Sequence, residues 1–202
     1  MKLFDDYLKE NINFLTASLA LIILVEATFI TSLFLPEILS PVKERIKVPS
    51  KKVEIATLAL NPSVAGYKLG ESFDVDVYLD TGGAKTVGTD LIVSYDKIKF
   101  EVVDSDSGKD GTQIKSGDLY DTIVSNEVKS GKIYFAAVSS PGKNRFSGSG
   151  TLASIKFKAK AAGEALVQIE SVVGATTDSN VVTEKAADIL SKVVNAEYTI
   201  TE

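Results

Sequence analysis

The stretch Phe73-Asp74-Val75-Asp76-Val77-Tyr78-Leu79-Asp80 alternates apolar and polar residues without a break. Successive side chains of an extended chain point to opposite faces, so Phe73, Val75, Val77 and Leu79 share one face and the acids and Tyr78 the other. No helix keeps that division, and the stretch is predicted as a half-buried strand. Ile155-Lys156-Phe157-Lys158-Ala159-Lys160 repeats the pattern with lysines outward. The same reading gives strands over 54–60, 89–95, 99–103, 120–124, 132–138, 165–172 and 195–201. Turn signals separate them: Asn61-Pro62, Gly82-Gly83, Gly108 to Gly111, Ser130-Gly131, Pro141-Gly142 and Ala162-Gly163. Short strands at this spacing predict an all-β fold, a nine-stranded jelly-roll β-sandwich. Glu184–Val194 departs from the pattern. Ala186, Ile189, Leu190 and Val193 fall at helical spacing, which predicts one short helix packed on an end of the sandwich.

Upstream of the strands the period disappears. Phe14–Leu35 is a run of 22 residues with a single charge, Glu26. As a helix it spans about 33 Å, enough to cross a bilayer core. It predicts one N-terminal transmembrane α-helix and divides the chain into four parts: a tail (1–13), the membrane helix (14–35), a Pro-containing basic linker (36–52) and the sandwich (53–202). The apolar run ends at Phe34-Leu35-Pro36 without a small-residue cleavage site, so the anchor is expected to be retained. Lys43, Arg45, Lys47, Lys51 and Lys52 follow it. The positive-inside rule alone would put the sandwich in the cytoplasm, but long domains translocate largely regardless of flanking charge. The same residues suit anionic lipid headgroups. The expectation is a single-pass membrane protein that meets lipid through residues 14–35, with the globular part outside the cell. Glu26 reads either as a contact with another helix, in a filament or complex, or as a tolerated protonated acid.

Three missing residue types narrow the chemistry. The chain has no cysteine, no histidine and no tryptophan. A Ser-His-Asp triad, histidine or thiolate metal ligands and disulfides are therefore excluded. No catalytic constellation is visible, and a non-enzyme is expected. Net charge is −5, with no clustered basic face, so nucleic-acid binding has no support. The densest polar cluster, Asp104-Ser105-Asp106-Ser107-Gly108-Lys109-Asp110-Gly111, places Asp104, Asp106 and Asp110 in a Gly-rich loop. Such a loop either caps itself in solvent or gathers oxygens around Ca²⁺. Counted from Asp104 the EF-hand register fails, because Lys109 and Lys115 stand where Gly and a bidentate Glu belong. Apart from this calcium reading no cofactor is expected.

Several segments, in order, resemble the cohesin domain. They are Leu58-Ala59-Leu60-Asn61-Pro62, Gly70-Glu71-Ser72-Phe73-Asp74-Val75, Val87-Gly88-Thr89-Asp90-Leu91-Ile92-Val93-Ser94-Tyr95-Asp96, Tyr120-Asp121-Thr122, Gly131-Lys132-Ile133-Tyr134-Phe135-Ala136, and Gly150-Thr151-Leu152-Ala153-Ser154-Ile155-Lys156-Phe157. Together they run from about Val53 to Glu202. The resemblance implies a non-catalytic jelly roll with one flat sheet face that docks a helical dockerin module. It implies that Asp90 and Asp121 belong to that face. Where the family often has Asn and Tyr, this chain has Gly88 and Ser125. Read from the residues alone, Asp90, Asp121 and Ser125 are small polar positions on alternating strands, which suits docking of a helix by shape and hydrogen bonds. Related carbohydrate-binding modules share much of the pattern, so a polysaccharide is the alternative ligand. Without tryptophan its platform would fall to Tyr67, Tyr78, Tyr120 or Tyr134. A structural subunit assembled through the N-terminal apolar helix is the third reading.

Overall fold

A computed structural model of the chain describes residues 55–172 and 174–202. The predicted membrane helix, Glu26, the tail and the linker lie outside the described residues. Thirteen strands follow one another among the described residues. They are β1 (Ala56–Asn61), β2 (Val64–Lys68), β3 (Ser72–Asp80), β4 (Thr86–Tyr95), β5 (Phe100–Val102), β6 (Lys115–Ser116) and β7 (Thr122–Lys129). β8 (Lys132–Val138), β9 (Ser149–Ala159), β10 (Gly163–Ile169), β11 (Asn180–Thr183), β12 (Leu190–Val194) and β13 (Ala196–Thr201) complete them.

The strands make two sheets. One has the order β12-β1-β3-β9-β5, with β6 beside β9; the other has the order β2-β13-β10-β4-β8-β7, with β11 beside β4. Pairing is antiparallel except for β1 with β12 and β2 with β13. The predicted alternation is realised: Phe73, Val75, Val77 and Leu79 are buried, while Asp74 and Asp80 are exposed. They meet Leu91 and Val93 of β4, Ile133 and Phe135 of β8, and Val167 and Ile169 of β10 in one core cluster. Aromatic rings fill one end of it. Tyr67 stacks on Phe73 at 3.6 Å between centroids, and Phe157 packs against Phe73, Phe100 and Tyr95. This is an all-β sandwich, and the described residues contain no helix.

The helix expected over Glu184–Val194 is not formed. Ala186 takes a positive φ of 56°, and the chain reverses between β11 and β12. The Asp188 carboxylate accepts the backbone N–H groups of Val181 (2.9 Å) and Leu190 (3.0 Å). An aspartate that hydrogen-bonds nearby backbone competes with helix and favours a turn. Ile189 and Leu190 are buried by this turn and by the pairing of β12 with β1 rather than by a helical stripe.

Candidate functional site

The outer face of β10, β4, β8 and β7 carries the predicted docking positions. The register sets one row across it: Asp90 of β4 lies opposite Ala136 of β8, which lies opposite Ser125 of β7. On its other side Asp90 pairs with Asn180 of β11. A shallow groove of about 260 Å³ runs along this row, lined by Asp90, Ser125, Tyr134, Ala136, Thr176 and Asp178. Asp90 and Ser125 are thus brought together, with a methyl group between them.

The flatness of the row has a local cause. A Cβ on Gly88 would sit 2.8 Å from Val138 Cγ1 and 2.9 Å from the Ala137 carbonyl oxygen. Any larger residue there would push β4 and β8 apart. On the other side, the β7–β8 hairpin turns at Ser130-Gly131, both with positive φ (55° and 83°). Glycine accepts that conformation without strain, which fixes the hairpin register. A bulge between Ile123 and Ser125 sets two residues of β7 against Ala136 and leaves Val124 64 % exposed. Beyond it Asn126 covers the edge, accepting from Ile114 N (2.9 Å) and donating to Ile114 O (2.7 Å).

Asp90 is exposed, and among the described residues no hydrogen bond or ion pair engages its carboxylate. Partial burial among Ile92, Ala136 and the 176–178 loop raises its pKa above the ordinary carboxylate value. It is an acceptor held ready and unused.

Asp121 stands differently. It does not line the groove but a depression at the end of the face, with Ser139, Lys143, Arg145 and Phe146. Both of its oxygens are taken, one by the Ser140 backbone N–H (2.9 Å) and one by the Ser140 hydroxyl. These bonds hold its carboxyl below the ordinary range. It ties the start of β7 to the turn after β8. The segment is pinned from beneath by Tyr120, whose buried hydroxyl bonds Thr86 (2.8 Å) and Thr89 (3.0 Å).

The acidic loop between β5 and β6 is spent on itself. Asp104 accepts from Asp106 N and Gln113 N, and Asp106 accepts from Gly108 N and pairs with Lys109 at 3.1 Å. Of Asp110, the backbone carbonyl accepts from Gln113 Nε2. Among the described residues no group of three or more acidic side chains is arranged to hold a metal ion.

Sequence reading missed part of the face. Leu166 keeps the in–out alternation of β10, pointing outward at 51 % exposure between inward Ala165 and Val167, but it is apolar where its outward neighbours Glu164 and Gln168 are polar. An apolar residue at an outward position was a readable signal. Val124 was not, because a bulge is a property of the pairing and not of the segment. The 174–178 loop enters the groove through β11, a strand that was not predicted.

The chain matches the cohesin domain model over residues 60–195, two thirds of its length, and it belongs to the cohesin family. Solved structures agree on the fold. The cohesin CaCohA2 from Clostridium acetobutylicum is 21% identical, with a TM-score of 0.56, covering 74% of this chain and 93% of its own. The cohesin of the Coh-OlpA–Doc918 cohesin–dockerin complex from Clostridium thermocellum is 15% identical, with a TM-score of 0.55, covering 73% and 100%. A non-cellulosomal cohesin from the archaeon Archaeoglobus fulgidus is 19% identical, with a TM-score of 0.52, covering 73% and 92%. No curated protein matches the sequence. The cohesin domain is a non-catalytic protein-interaction module, and this chain is a binding protein and not an enzyme.

Proposed function

We propose that the outer face of β10, β4, β8 and β7 docks a helical dockerin-type module, and that Phe14–Leu35 tethers this receptor to a membrane with the sandwich outside the cell. The observation that carries the docking reading is Asp90: an unpaired, partly desolvated carboxylate in a row of small side chains. A carboxylate in that state gains from a donor brought by a partner, whereas one hydrated on every side gains little. Protein docking is favoured over polysaccharide by the aromatic inventory. Tyr120 is buried, Tyr67 is stacked on Phe73, and Tyr78 lies on the opposite sheet, which leaves Tyr134 as the one of those four tyrosines that lines the groove. The membrane reading rests on the length and apolarity of residues 14–35.

The test is binding of the full chain to a panel of dockerin modules that includes those solved with the Clostridium acetobutylicum and Clostridium thermocellum relatives. Saturable binding weakened at least roughly tenfold by Asp90→Ala supports docking on this face. Binding to none of them, or binding indifferent to Asp90→Ala, overturns it. Protease added to intact cells tests the placement: digestion of the sandwich is expected, and full protection contradicts it.

A further inference from the structure

A second feature of the same sheet lies at its opposite end. Leu166 of β10, exposed at 51 %, stands directly opposite Glu197 of β13. Glu164 is two residues away on the same strand and shares its outward direction. The pairing of Val167 with Tyr95 brings Asp96, just past the end of β4, to the other flank. These residues line an open depression of about 520 Å³. Among the described residues the carboxylates of Glu164 and Glu197 have no hydrogen-bond or ion-pair partner, and Asp96 uses one oxygen to accept from Ile98 N. The ammonium groups of Lys99 and Lys160 on the adjoining turns donate to the backbone carbonyls of Ala162 and Lys97 and form no ion pair with these carboxylates.

An apolar side chain flanked by carboxylates that no cation of the described residues pairs has one good complement. Arginine and lysine lay an aliphatic stem on apolar surface while the charged head reaches acceptors around it. Neither a purely apolar residue nor an acid matches both parts. We propose that the Leu166 depression is a subsite for a long cationic side chain, arginine above all, on the docked partner. The proposal deepens the docking reading and rests on it for the identity of the partner. It also sets the partner's dimensions. Six residues of extended chain separate Asp90 from Asp96, about 20 Å. One helix that covers both sites along β4 needs about 13 residues, with its donor for Asp90 at one end and its arginine at the other.

The subsite is tested without any partner by titrating the isotope-labelled full chain with n-butylguanidinium, and in parallel with the uncharged n-butylurea. Amide shifts that saturate at Tyr95–Asp96, Glu164–Leu166 and Glu197 with the cation and not with the urea support the subsite. The double variant Glu164→Gln, Glu197→Gln is expected to weaken that response by about tenfold, with the remaining spectrum unchanged. Equal shifts from both compounds, or shifts spread evenly over all exposed acids, overturn it. The two readings fail separately. If the cation binds here while no dockerin module binds the chain, the subsite stands and the dockerin reading falls. If a dockerin binds and the double variant leaves its affinity and salt dependence unaltered, docking stands and the subsite falls.

Discussion

Gly88→Ala is the most direct probe of how the docking face is built. The added methyl group would sit 2.8 Å from Val138 Cγ1 and 2.9 Å from the Ala137 carbonyl oxygen, both inside normal van der Waals contact. The valine can turn or be trimmed, but the carbonyl belongs to the β8 backbone that pairs with β4. Overpacking of this kind costs about 1–3 kcal/mol. For a domain of this size that lowers the melting temperature by about 2–4 °C per kcal/mol, so roughly 2–12 °C in all. Adding Val138→Ala removes one of the two clashes and should restore part of the loss, measured as a double-mutant cycle by thermal unfolding. The strain also widens the β4–β8 spacing beside Asp90, so partner affinity should fall with stability. Gly88→Ala at wild-type stability would refute the close approach. Full rescue by Val138→Ala would show that the carbonyl contact is immaterial.

Other expectations follow from single side chains. Phe157→Ala, fully buried against Phe73, Phe100 and Tyr95, should cost about 3–5 kcal/mol in urea unfolding, the largest single loss in the domain; a loss under about 1 kcal/mol would place the ring outside the core. Because the folded-state pKa of Asp90 is raised, its charge opposes folding above that pKa, and the penalty disappears as pH falls through the carboxylate range. Asp90→Asn should therefore be more stable than wild type at neutral pH and no more stable at low pH. A destabilised Asp90→Asn would mean that an intramolecular partner holds the carboxylate. Asp121 runs the other way: its lowered pKa stabilises the fold above the carboxylate range, and Asp121→Asn should erase that advantage at neutral pH, read from melting curves against pH. Calcium titration should leave the melting temperature unchanged, since Asp104 and Asp106 already cap their own loop; a rise would restore the calcium reading.

The two sheets were legible because their strands alternate. Phe73, Val75, Val77 and Leu79 show their burial in the order of residues, and an inward set of that kind admits one register. Glu184–Val194 misled for an equally physical reason. Its apolar spacing fits a helix, but Ile189 and Leu190 are buried by a turn held on the Asp188 carboxylate, and spacing alone does not report a side chain that caps backbone. The candidate site was half legible. Asp90 and Ser125 share the groove, whereas Asp121 proved to be tied to Ser140, a contact between residues 19 apart that no local pattern encodes. The Leu166 depression depends on the register of β10 with β13 and β4, and it becomes visible only when the strands are paired.

The central claim is that a partner lands on the outer face of β10, β4, β8 and β7, and cross-saturation from a bound dockerin module into the isotope-labelled chain tests it most directly. Saturation is expected at Asp90 and Ile92 of β4, Tyr134 and Ala136 of β8, Ser125 of β7 and Leu166 of β10. Saturation on the other sheet instead, at Asp74, Tyr78 and Lys156, would contradict it.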